Sequence, residues 1–136
     1  MRFDTKIGIV VRDDLAVWQR LNVTAFLAGA VAGAVPGVIG EPYEDASGNT
    51  YMAMFRQPVL VYEAGAGAIL KAHGRARARD LRIAVYIEDM FKTGHDEANR
   101  ETVRAVTAAE MPLVGFAVHG PKNGVDRVFK GLRLHP

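Results

Sequence analysis

Four stretches of the chain alternate or run apolar in the manner of strands. Leu81 to Ile87 sets Ile83, Val85 and Ile87 against Ala84 and Tyr86, a two-residue period that suits a pleated surface. Thr5 to Arg12 (TKIGIVVR) is a continuous apolar run between charges, the pattern of a strand covered on both faces. Pro58 to Tyr62 and Leu113 to His119 complete the set, each opened by a proline where a missing N–H is tolerated.

Between these runs the period changes. Asp13 or Asp14 caps a predicted helix from Leu15 to Gly33 that is apolar nearly all round. Such a helix lies at the centre of the core or under a second subunit. Further helices are expected over Ala64–Arg79, Asp96–Ala108 and Val125–Lys130, the second of these with Glu97, Arg100, Glu101 and Arg104 paired on a solvated face. The segment from Pro36 to Gln57 is long and punctuated. Ser47-Gly48-Asn49 reads as a hairpin tip, and the whole segment as a flap or dimer-contact arm. Arg75, Arg79 and Arg82 cluster where cations suit a helix C-terminus, and a phosphate-bearing ligand is the other explanation.

A length of 136 residues suits one domain, 1–136, with a real core. At 49% hydrophobic and 24% charged, the chain is neither disordered nor membrane-spanning. A net charge of +2 does not call for a nucleic-acid partner. The absence of cysteine removes disulfides, thiolate metal sites and cysteine nucleophiles. The opening residues move straight into a strand without a leader, so the expected location is cytoplasmic.

The densest chemistry follows the strand ending at Ile87: Glu88, Asp89, Lys92 and Thr93 in quick succession. Ligands of open α/β sheets lie beyond the carboxyl ends of strands, which makes this the best candidate site. An ordinary polar helix-capping loop is the alternative. Asp89 and Thr93 have the makings of a carboxylate–hydroxyl pair that orients water or accepts a proton. Asn22, among apolar neighbours in the first helix, is a structural amide or a ligand contact. The single serine, Ser47, has no histidine near it in sequence, so the usual hydrolase triads are excluded. The four histidines form no metal-binding motif, and no phosphate-binding glycine loop follows the first strand. No metal or cofactor is expected.

The succession KIGIVVR-DDL, an apolar helix, YIEDMFKT, PLVGFAVHGP and VDRVFKGLRL resembles the type II peptidyl-tRNA hydrolases. It is more similar still to a family of small bacterial domains of unknown function with that fold, through WQRLNVTAFLAG, VPGVIGEPYEDASGN and HGPKNGVDRVFKGLRL. The resemblance implies a three-layer α/β/α sandwich with a four-stranded mixed sheet, commonly a homodimer. It also implies metal-independent cleavage of the ester between a peptide and its tRNA. In that reading Asp89 and Thr93 are the catalytic pair, and Lys92 replaces a neighbouring arginine. The family's lysine falls near Gln19 or Arg20 without its glycines, and a further threonine falls on Gly115. An arginine keeps the charge of a lysine but not its tunable proton. These departures favour a domain that binds a small molecule or a partner near Asp89, with Arg20, Asn22 and Lys92 as binding residues. The alternative is a working hydrolase on peptidyl-tRNA or a similar acyl ester.

Overall fold

The computed structural model describes residues 2–136. Its main sheet is built from β1 (Thr5–Arg12), β4 (Val59–Ala64), β5 (Arg82–Ile87), β6 (Leu113–Pro121) and β7 (Arg133–Leu134), in the order β5-β6-β1-β4-β7. β1 and β4 run parallel, and every other pair is antiparallel. The sheet is therefore mixed but has five strands, not four. The fifth comes from residues that look like a tail. β7 is only two residues long, yet the His135 N–H extends its pairing by donating to Val61 O (2.8 Å). β2 (Tyr43–Glu44) and β3 (Thr50–Tyr51) form a separate hairpin around the Ser47–Asn49 tip. There the Asp45 carboxylate takes hydrogen bonds from Ser47 N, Asn49 N and the Tyr51 hydroxyl.

Helices cover both faces of the main sheet. On one face α1 (Val17–Ala34) lies over β6, β1 and β5. It buries Val23, Leu27 and Val31 against Ile7, Ile9, Val11 and Ala117. On the other, α2 (Ala66–Arg77) and α4 (Lys122–Val128) enclose Val10, Phe116 and Val118. The backbone permits this packing by its glycines: a Cβ on Gly8 would lie 2.3 Å from the Phe129 ring. That ring stacks on Tyr62 at 4.6 Å and on Phe116 at 5.7 Å.

Two expectations for α1 change. Neither Asp13 nor Asp14 caps it; Ala16 is the N-cap, and its N–H donates to the Gln19 side chain (3.0 Å). Nor is the helix central within this chain, because Val17, Trp18, Leu21 and Phe26 remain exposed. Two of the three clustered arginines act at helix ends, while Arg82 lies exposed on β5 opposite His119. Arg75 reaches the last carbonyl of α4, and Arg79 donates to Arg75 O at the end of its own helix.

Candidate functional site

The end of β5 is irregular, with a register shift against β6 between Tyr86 and Ile87. The chain then tightens into a 3-10 turn, Glu88–Lys92. Glu88 fixes the turn to the end of β1 through Arg12 (2.5 Å), and its N–H donates to Pro112 O. Thr93 closes the turn. Its hydroxyl meets both Met90 O (3.0 Å) and the Asn99 side-chain amide. α3 (Asp96–Arg104) starts at once, capped by His95, whose Nδ1 accepts from Ala98 N, and not by Asp96 as expected.

α3 does not lie flat on the sheet. It stands across from α1, and the two walls enclose a groove floored by β5 and the turn. Asp96, Asn99, Arg100, Val103 and Arg104 recur at the three-and-four spacing of one helical face, and these five form the α3 wall. None of the pairs expected among Glu97, Arg100, Glu101 and Arg104 is an ion pair among the described residues; the one on this helix joins Arg100 to Asp96 (2.5 Å). The α1 wall comprises Trp18, Asn22, Phe26 and Ala30. The part of the groove beside Ala30 and Val103, called inner for its distance along the groove from Trp18, has a volume of about 540 Å³, and the outer part beside Trp18 and Thr93 about 380 Å³. Both parts share Phe26, Tyr86, Met90, Asp96 and Asn99, so the hollow is continuous. Four aromatic rings run along it in edge and tilted contact: Trp18 to Phe91 (6.4 Å), Phe91 to Tyr86 (5.3 Å) and Tyr86 to Phe26 (6.0 Å). Such rings offer an apolar lining of alternating faces and edges.

Of the residues singled out in the sequence, Asn22 and Thr93 are brought together on the outer part of this groove. Asn22 is exposed and has no hydrogen-bond partner among the described residues, so it is not a satisfied structural amide. Asp89 and Lys92 are exposed on the turn and do not line the groove, although their neighbours Met90 and Phe91 do. The Thr93 hydroxyl is engaged with Met90 and Asn99 and makes no hydrogen bond to Asp89. Arg20 lies in a different place altogether. It donates to Leu15 O (3.0 Å), approaches His135 Nε2 (3.2 Å) and sits 3.6 Å from the buried carboxylate of Glu63. Among the described residues no three histidine or acidic side chains assemble as a metal-binding set.

Sequence reasoning passed over Tyr86. This residue is only 8% exposed and lines both parts of the groove, and its hydroxyl has no partner among the described residues. Burial pushes the phenol above its ordinary value of 10.0, so it remains protonated and able to donate. The available signal was a large amphipathic residue at the end of a strand of small and branched ones.

A mixed α/β domain with a hollow between two helices on one face of its sheet is the class that this geometry defines. The chain belongs to a family of proteins of unknown function, DUF2000, whose sequence model matches residues 5–136. It is similar to a solved structure of a protein of unknown function from Agrobacterium tumefaciens strain C58. The two are 44% identical, with 99% of this chain and 100% of that one covered and a TM-score of 0.96. No curated protein matches this chain.

Proposed function

We propose that this protein binds a small molecule in the groove between α1 and α3, beside the Glu88–Lys92 turn. The observation that carries the reading is that Asn22, Thr93 and the buried Tyr86 converge on one hollow whose floor and α1 wall are mostly rings and aliphatic groups, and whose α3 wall carries Asp96, Asn99, Arg100 and Arg104. Its size falls within the range of about 300–1,000 Å³ usual for ligand sites, and an apolar bed with few polar groups is their usual chemistry.

Trp18 is the only tryptophan and stands on the groove wall, so its fluorescence reports occupancy directly. Titration of the full chain with a fragment collection should find compounds that change Trp18 emission and raise Tm. Both effects should disappear in Asn22→Leu or Thr93→Val. Compounds whose effects survive both changes, or a collection that leaves emission and Tm unmoved, would remove the groove from consideration.

The hydrolase alternative draws support from Asp89, an exposed carboxylate with no partner among the described residues, four positions from Thr93. Two features weigh against it. A side chain at Gly115, where the family's threonine falls, would meet Val10 O at 2.7 Å. Arg20 is tied to Glu63, Leu15 and His135 and does not face the groove. Peptide release from peptidyl-tRNA, abolished by Asp89→Asn, would reverse this preference.

A homodimer is proposed alongside. The exposed Val17 and Leu21 of α1, on the side away from the groove, together with Met52 at 91% and Met54 at 61% exposure, leave apolar surface for a second copy. Sedimentation that finds only monomer at every concentration would end that proposal.

A further inference from the structure

Resting on the groove reading above, we propose the class of the ligand: an aromatic carboxylate, its ring seated on Phe26, Tyr86 and Met90 and its anionic group held by Arg104 at the inner end. The charge of the wall is the first argument. The inner groove presents one carboxylate, Asp96, and two guanidinium groups, Arg100 and Arg104. Asp96 and Arg100 neutralise each other at 2.5 Å, while Arg104 has no ion-pair partner among the described residues. Glu97 and Glu101 are exposed and do not line the groove. One positive charge is therefore left facing a largely apolar hollow. A ligand amine would find no free carboxylate there, and a multiply charged phosphate would find a single unpaired guanidinium with the Asp96 carboxylate nearby.

The second argument is Tyr86. Its side chain is more than nine-tenths buried, but its hydroxyl opens onto the groove with no protein partner among the described residues, so it can donate to a ligand oxygen in place of water. A carboxylate, or an oxygen substituent on the ring, accepts that bond. The third is shape. Phe26 and Tyr86 meet edge-on at 74°, and a flat ring stacks against such a pair more readily than a saturated one.

The test is calorimetric titration of the full chain with 2-naphthoate, its neutral counterpart 2-naphthamide, and cyclohexanecarboxylate. The acid should bind about tenfold more tightly than the amide, as expected for a charge-assisted hydrogen bond. It should also bind more tightly than the saturated acid. Arg104→Gln should erase the preference for acid over amide by weakening the acid about tenfold more than the amide. Tyr86→Phe should weaken 2-naphthoate in a protein of unchanged fold. Equal binding of acid and amide, or a preference that survives Arg104→Gln, overturns the anionic class and leaves the groove reading standing. Absence of binding by both naphthalene compounds overturns the aromatic class as well. The groove reading itself falls only with the Trp18 titration.

Discussion

Arg75 and Val128 join two helices that never meet end to end: both Nε and Nη2 of the arginine donate to the valine carbonyl, at 3.1 and 2.7 Å. Val128 is the last residue of α4, so the guanidinium supplies partners to a carbonyl that has none within its own helix. Arg75→Met keeps the aliphatic stem and removes the donors. Urea denaturation should show a loss of about 1–2 kcal/mol, reflecting a half-buried charged donor and an orphaned carbonyl. An unchanged midpoint would mean that water replaces the arginine at no cost.

Gly115 is where α1 comes down on the sheet. A Cβ at that position would lie 2.7 Å from Val10 O and 3.0 Å from the Val23 side chain. Gly115→Thr, the residue of the hydrolase pattern, should cost about 2–3 kcal/mol through overpacking against backbone that cannot retreat. Thermal melts that place the variant beside the parent would show α1 to be looser than this packing implies.

His73 makes stability depend on pH. Its ring is buried against Phe116, Nδ1 has no hydrogen-bond partner, and burial followed by the nearby Arg77 lowers its pKa below the ordinary 6.5. The folded chain therefore holds His73 neutral, whereas the unfolded chain takes up a proton near pH 6.5. Stability is full above that pH and falls as pH drops towards the lower folded value. His119 is shifted in the same direction by burial and by Arg82, and adds to the slope. Melting temperatures measured from pH 7.5 to 5 should fall less in His73→Phe than in the parent. Parallel curves would remove His73 as a cause.

Glu63 is almost fully buried, yet it carries the ion pairs that tie the C-terminal strand to α1: Arg133 on one oxygen, with Arg20 at 3.6 Å and His135 at 3.9 Å from the other. Glu63→Gln should cost about 1–3 kcal/mol, below the usual cost of breaking a buried pair because Arg133 is largely solvated. Amide exchange at His135, whose N–H is bonded to Val61 O, should accelerate more than at Ile9. Equal protection at both sites would show that the tail is held by its backbone alone.

The strands were legible because apolar periodicity needs no tertiary information: the four long runs are all strands within two residues of the expected ends. β7 was not, since a two-residue edge strand has no period, and only its register on β4, Tyr62 with Leu134 and Glu63 with Arg133, defines it. Asp89 and Thr93 were readable as a chemical pair in sequence. Which of them faces the hollow depends on the 3-10 turn, whose handedness turns Met90 and Phe91 inward and leaves Asp89 outside. The α3 wall was written in its spacing, but charges at positions 96, 100 and 104 read equally well as a solvated face. Only the opposing α1 makes a cleft of them. The exposure of Trp18 and Phe26 had no signal at all in an all-round apolar helix.

The brief pairing of Arg133 and Leu134 along β4 has a colloidal consequence. Without those two residues, the backbone at Tyr62 and Glu63 would become the open rim of the sheet, offering its free donors and acceptors to any passing chain. A protein shortened after Leu132 should cross-link with itself and scatter light on warming, well before its helices melt.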